Sequence, residues 1–298
     1  MNRLELTKQH FSLFLFAVAA LLTGCSSDDF NESESPAVQP IRLTRFSTSS
    51  ETPQEGPQRT AMNETGTFTW VESDKIWVKK GDQLIPSTEC VIGDPATSAD
   101  FYVEGNFTAD SYEVIYNGKD AGSGSTVTIA AEQTQSLGNN SDHFATVGDC
   151  ASATAVRDPE TGDYNFTLNH KASYIIFEPR TAIAPSTNYC KVKHIVVKEK
   201  NGRNICGTYP LTSEGLQVDA VTNGGSEIRL VCGVDVEKLP DGRMSADELF
   251  AENNGFPIKE TVDGDHNRMF MVIAPRTYDL EITYTVAYYI YHSTRVMR

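Results

Sequence analysis

Apolar and polar positions alternate with a period of two along most of the chain. The clearest run is Tyr164 to Ile176. Tyr164, Phe166, Leu168, His170, Ala172, Tyr174 and Ile176 share one face; Asn165, Thr167, Asn169, Lys171 and Ser173 share the other. Successive side chains of a strand point to opposite faces, so this run reads as a strand with one face in a core. Leu280, Ile282, Tyr284, Val286, Tyr288 and Ile290 repeat the pattern. Val127 and Ile129 alternate with Thr126 and Thr128, and Phe68 and Trp70 with Thr67 and Thr69. Ile76-Trp77-Val78 is a short apolar run. Further strands are expected at Val192–Val197, Ile228–Val231 and Met269–Ile273.

Turn chemistry separates these runs: Gly81-Asp82, Asn117-Gly118, Gly122-Ser123-Gly124, Asn201-Gly202 and Asn223-Gly224-Gly225. One short helix is expected after Ser245, where Glu248 completes a capping-box spacing and Asn253-Asn254-Gly255 stops it. Many short strands with frequent turns predict an all-β protein of two β-sandwich domains. The polar stretch Arg157 to Asp163 is the expected boundary, giving domains over 40–160 and 161–298.

The first residues read differently. Arg3 and Lys8 form a positive start, and Phe11 to Leu22 is an uncharged apolar run shorter than the about 20 residues a membrane-spanning helix needs. Leu22-Thr23-Gly24-Cys25 follows and resembles a lipobox. Residues 1–24 are therefore expected to be a signal peptide, with Cys25 lipidated and residues 25–39, rich in Ser, Asp, Glu and Pro, acting as a tether. Several acyl chains on one N-terminus hold a protein stably on a bilayer. Ser27, Asp28 and Asp29 resemble the acidic signal that sends some Gram-negative lipoproteins to the outer face of the outer membrane.

Charge narrows the partners. The chain of 298 residues carries 25 Lys and Arg against 40 Asp and Glu, a net −15. Nucleic-acid binding needs clustered Lys and Arg, so nucleic acid is not an expected partner. The six cysteines lie far apart with no Cys-x-x-Cys; apart from Cys25 they read as small core residues.

The lipobox, Arg59-Thr60, Phe68-Thr69-Trp70 with Asp74-Lys75-Ile76, and Leu168-Asn169-His170-Lys171-Ala172 occur in that order. Ala131-Glu132-Gln133 precedes Asp142-His143-Phe144-Ala145. Together these resemble the fimbrillin family, Mfa-like branch: lipoprotein subunits and anchors of type V pili. The resemblance implies two transthyretin-like sandwich domains and no enzyme activity. It implies assembly with other pilus subunits by β-strand exchange, after an Arg-directed cut removes the first strand. Arg45 and Arg59 are the candidate processing sites; Ile41 to Ser47, with Ile41 and Leu43 on one face, is the candidate first strand. The family usually has further strand sequence after a run like Leu280–Tyr291, so an open edge is expected there. The alternative is a surface lipoprotein that binds a glycan or host protein and does not polymerise.

Other candidates carry less. His170 reads as a core or interface residue, and Trp70 and Trp77 as core rather than a sugar platform. Asp263-Gly264-Asp265 begins like a calcium loop, but Arg268 and Ala274 stand where an EF-hand needs Gly and Glu. No catalytic residues, metal ligands or cofactors are expected.

Overall fold

The computed structural model describes residues 42–48, 61–62, 68–94, 96–119, 122–180, 190–233, 255–258 and 268–288. The all-β expectation holds: the one α-helix among them is α1, Phe144–Val147.

The first strand, β1 (Leu43–Thr48), starts a closed structure. The chain continues through β2 (Ala61–Met62), β3 (Phe68–Thr69), β4 (Trp77–Lys80), β5 (Gln83–Ile92), β6 (Ala99–Glu104) and β7 (Ser111–Tyr116). After β8 (Thr126–Ile129), β9 (Glu132–Gln135) and α1 come β10 (Ala151–Arg157), β11 (Tyr164–Phe166) and β12 (Asn169–His170). The order β11-β1-β6-β5-β4-β7-β10, with β10 paired back onto β11, closes a seven-stranded barrel. Closure removes the free edges that an open sheet exposes. A barrel therefore stands where the first sandwich was expected. Its interior is aromatic: Phe46, Trp70, Phe101, Phe107, Tyr116, Tyr164 and Phe166 are all buried there. Edge-on and stacked rings fill the bore, as with Trp70 against Phe101 at 4.9 Å and Phe46 on Tyr164 at 4.8 Å.

The second body continues with β13 (Ser173–Phe177), β14 (Cys190–Glu199), β15 (Cys206–Thr212), β16 (Gly215–Leu216), β17 (Thr222–Gly225), β18 (Glu227–Cys232), β19 (Phe256–Pro257), β20 (Met269–Ile273) and β21 (Leu280–Tyr288). One sheet runs β19-β14-β18-β9 with β21 also on β14; another runs β16-β15-β17 with β8 on β15; β13 pairs with β20. Their shared core is mostly aliphatic and sulfur-containing, including Val192, Ile195, Val197, Ile228, Leu230, Cys206, Cys232, Met269 and Met271. The expected strands at 192–197, 228–231 and 269–273 lie within β14, β18 and β20.

Two expectations change. Arg157 to Asp163 is not a domain link. It is the turn between β10 and β11, which pair antiparallel, with Val156 opposite Asn165. Meanwhile β8 and β9, from before the expected boundary, pair with β15 and β18, from after it. The halves interlock, and residues 41–298 form one compact unit. The long run 164–176 is three short strands. Its alternation holds through Tyr164, Phe166 and Leu168, all buried, then reverses: Ile176 is exposed and Phe177 buried. The reversal comes where the chain leaves the barrel for β13, which faces a different core.

Asn223-Gly224-Gly225, expected as a turn, is strand β17 against β15. Gly225 is needed there, because a Cβ would come within 2.9 Å of the Cys206 sulfur. Cys90, Cys150, Cys190, Cys206 and Cys232 are all free thiols, three of them buried. The expected helix after Ser245 and the Asp263 loop lie outside the described residues.

Candidate functional site: the first strand and its slot

β1 is paired on both edges, antiparallel to β6 and parallel to β11. Phe46 sits opposite Phe101 on one side and Tyr164 on the other. Its side chain is fully buried, stacked on Tyr164 and edge-on to Phe107 at 5.3 Å. Thr48 is also buried and accepts a hydrogen bond from the Ala99 amide at 2.9 Å. Leu43 lies on the opposite face and is exposed. The inward face of the strand is thus that of Phe46 and Thr48, not that of Leu43; Ile41 lies outside the described residues.

Polar contacts fix the register. Thr44 Oγ1 donates to the Gly105 carbonyl at 2.9 Å and Ser47 Oγ to Asp100 Oδ1 at 2.6 Å. Arg45 donates through Nε and Nη2 to Asp163 Oδ2 at 3.1 and 2.6 Å, and its Nη1 lies 3.5 Å from Asp100 Oδ2. These groups are partly exposed, so each ion pair contributes at most about 1 kcal/mol. Burying Phe46 contributes more, about 2–3 kcal/mol. The strand is held mainly by one aromatic anchor and its two backbone ladders.

Arg45 and Arg59 therefore differ. A protease of trypsin type reads an extended, unpaired segment, whereas Arg45 is mid-strand with both edges paired. Arg59 follows β1 in sequence and precedes β2; it lies outside the described residues, as do Cys25, Ser27, Asp28 and Asp29. A cut after Arg59 would sever β1 from the chain while leaving the other six barrel strands continuous. Removal of β1 would then leave a slot between β6 and β11, lined by Phe101, Phe107 and Tyr164.

A second edge is at β21. It pairs along its length with β14, and no other strand pairs with it among the described residues. Ile282 and Tyr284 are exposed at 42% and 41%, whereas Leu280 and Val286, on the same face, are half-buried against the core of the second body. The ring of Tyr284 lies edge-on 6.1 Å from that of Phe177, which is buried.

His170 lies at the junction of the two bodies. Its Nδ1 is 2.9 Å from Asp149 Oδ1 and 2.7 Å from the Tyr174 hydroxyl, which also donates to Asp149. Burial, then the neighbouring Asp149, pushes the Tyr174 phenol well above its usual range. Asp149 and His170 are shut away from solvent, so the group ties β12 to β13 and offers nothing to a substrate. Trp70 is buried in the barrel and Trp77 half-buried beside Gly124. No group of three His, Cys, Asp or Glu side chains suited to a metal occurs among the described residues.

Gln133 and Gln135 show no inward signal in the sequence pattern. Both are buried and bond the backbone of β20 through their side chains. Polar residues at alternate positions carry no hydrophobic signal, so only the structure shows them facing inward.

No family model, curated protein or solved structure matches the chain.

Proposed function

We propose that this chain is a fimbrillin-like lipoprotein, anchored in the outer membrane through Cys25 and displayed at the cell surface. It acts as a pilus subunit, anchor or adhesin that joins other subunits by β-strand exchange, without catalysis. One observation carries the reading. β1, the first described strand, completes the barrel between two strands far from it in sequence, and a polar segment with Arg59 follows it. A strand in that position can be replaced by another of like pattern, because backbone hydrogen bonds supply affinity and alternate side chains fill pockets. The edge of β21 that has no partner strand among the described residues offers a second place for strand pairing. In this reading the transthyretin-like sandwich implied by the resemblance is kept for the second body alone.

The test uses the full chain in a Gram-negative host. Labelled fatty acid should enter the wild type and not Cys25→Ala. Asp28→Ala with Asp29→Ala should keep the lipid and lower access to external protease. An Arg-specific protease should cut at Arg59 and give ladders of polymers on unboiled gels, and Arg59→Ala should abolish both. Complete cleavage at Arg59 without polymers would refute strand exchange.

A further inference from the structure

We propose that Asn201 is a site of spontaneous modification, where the chain converts its own asparagine amide to a carboxylate and so loosens the start of β21. The chemistry needs an asparagine followed by a glycine, as in Asn201-Gly202. The Gly202 main-chain nitrogen attacks Asn201 Cγ; a C–N bond forms and the Cγ–Nδ2 bond breaks. The Nδ2 group leaves as ammonia with the proton from the Gly202 amide. Water then opens the five-membered imide at either carbonyl, giving aspartate or isoaspartate. Nothing is oxidised or reduced, and water is the sole co-reactant. Glycine favours the step because it has no Cβ to crowd the ring and takes a wide range of backbone angles.

Three Asn-Gly pairs lie wholly within the described residues, at 117, 201 and 223, and the fold separates them. A Cβ on Gly118 would lie 2.6 Å from the Ala145 carbonyl oxygen, and one on Gly224 2.5 Å from Asn204 Cγ, so both glycines are crowded. Asn117 is buried as well, and its Nδ2 donates to the carbonyls of Ser123 and Thr126. Ring closure there would break both bonds. Asn223 and Gly224 belong to strand β17. Around Gly202, by contrast, the same construction meets nothing within 4 Å. Asn201, Gly202 and Arg203 are exposed in the turn from β14 to β15. The Gly202 amide is 3.5 Å from the Glu199 carbonyl, and Asn201 Nδ2 is 3.3 Å from Glu199 Oε1. Both are longer than an ordinary hydrogen bond, so the reacting groups are loosely held.

The consequence follows from Glu199. Its buried carboxylate accepts the Asn201 and Arg203 amides on Oε2, at 2.8 Å each, and the Asp279 amide on Oε1 at 3.4 Å. The Lys200 amide donates to the Asp279 carbonyl at 2.9 Å, and Arg203 Nη1 to the Thr277 carbonyl at 3.0 Å. The turn thus clasps residues 277–279, which lead into β21. Isoaspartate adds one carbon to the main chain between the Asn201 and Arg203 amides, so the two no longer converge on Oε2. Either product also sets a second carboxylate beside Glu199, and like charges so close repel. This inference does not rest on strand exchange.

The test ages the full folded chain in mildly alkaline buffer, with a sample unfolded in urea alongside. Isoaspartate is labelled by enzymatic methyl transfer with a protein isoaspartate methyltransferase and located by mass spectrometry of peptides. In the folded chain the peptide holding Asn201 should carry at least about tenfold more label than those holding Asn117 or Asn223, a barrier difference of about 1.4 kcal/mol. In urea the three should label alike. Hydrogen exchange on the aged protein should show protection lost at the Arg203 and Asp279 amides and kept in β18. Asn201→Gln, which could close only a six-membered ring, should lose the label and keep the protection. Equal label on the three peptides of the folded chain would overturn the inference. So would the same preference persisting in urea, or full protection at Arg203 and Asp279 in labelled protein.

Discussion

The barrel and the second body solve the problem of strand edges in opposite ways. In the barrel every edge is met by another backbone, and the last gap is filled by β1 from the beginning of the fold. In the second body, β20 has, among the described residues, a strand on one edge only, β13; its other main-chain groups are met by side chains. Gln133 takes the Val272 amide at 2.9 Å and gives to its carbonyl at 2.7 Å. Gln135 takes the Phe270 amide and gives to the Arg268 carbonyl. His143 Nε2 donates to the Phe270 carbonyl at 3.0 Å, and Asn139 Oδ1 accepts from the Arg268 amide at 2.8 Å. The two glutamines stand in for a strand. Side-chain satisfaction of this kind is specific to its partners and cannot be handed to another chain. A backbone ladder can, which is why the separable element belongs to the barrel.

The largest expected effect comes from emptying the slot. Phe46→Ala should destabilise the protein by about 3–5 kcal/mol in chemical denaturation. Leu43→Ala, on the exposed face of the same strand, should stay within about 0.5 kcal/mol. Equal losses at the two positions would mean that the strand does not seat by its inner face.

The glutamine edge should respond next. Gln133→Leu leaves the Val272 amide and carbonyl buried without partners, at a cost of about 2–3 kcal/mol. Gln133→Glu, which keeps the acceptor but loses the donor to Val272, should also be harmful. A neutral outcome for both would mean that β20 finds another partner and the contrast between the bodies fails.

His143 sharpens the contrast by pH. Burial holds its pKa down from 6.5 to about 4, against the raising influence of the Phe270 carbonyl and Asp142. Between those two values the unfolded chain binds the proton and the folded protein does not. Stability is therefore complete above pH 6.5 and falls towards pH 4, by up to about 3 kcal/mol, with no further loss from this group below that. His143→Gln should flatten the melting temperature across this window. An unchanged slope would assign the pH dependence to other groups.

The smallest effect is expected at Arg45. Its bonds to Asp163 and Asp100 are partly exposed, so Arg45→Ala should cost about 0–1 kcal/mol and lose its effect in high salt.

Much of the strand content was legible from the sequence, because a half-buried strand writes its period into its residues. Phe166 and Leu168 are buried, Asn165 and Thr167 exposed, and Val127 and Ile129 point inward as the alternation requires. Closure was not legible. It depends on β1 meeting β11 more than a hundred positions away, and no local pattern records such a pairing. The polar turn at 157–163 carries the same composition whether it links domains or strands, so it misled. The reversal at Ile176 and Phe177 was hidden because both residues are apolar.

The most direct measurement is hydrogen exchange on the protein before and after cleavage by an Arg-specific protease, with and without a synthetic peptide of residues 41–50. Cleavage at Arg59 and release of the first fragment should deprotect the amides of β6 and β11. Those of β14 and β18 should keep their protection, and the peptide should restore that of β6 and β11 alone. If β6 and β11 keep full protection after the fragment has left, or if protection is lost throughout both bodies, β1 is not a separable strand and the account fails.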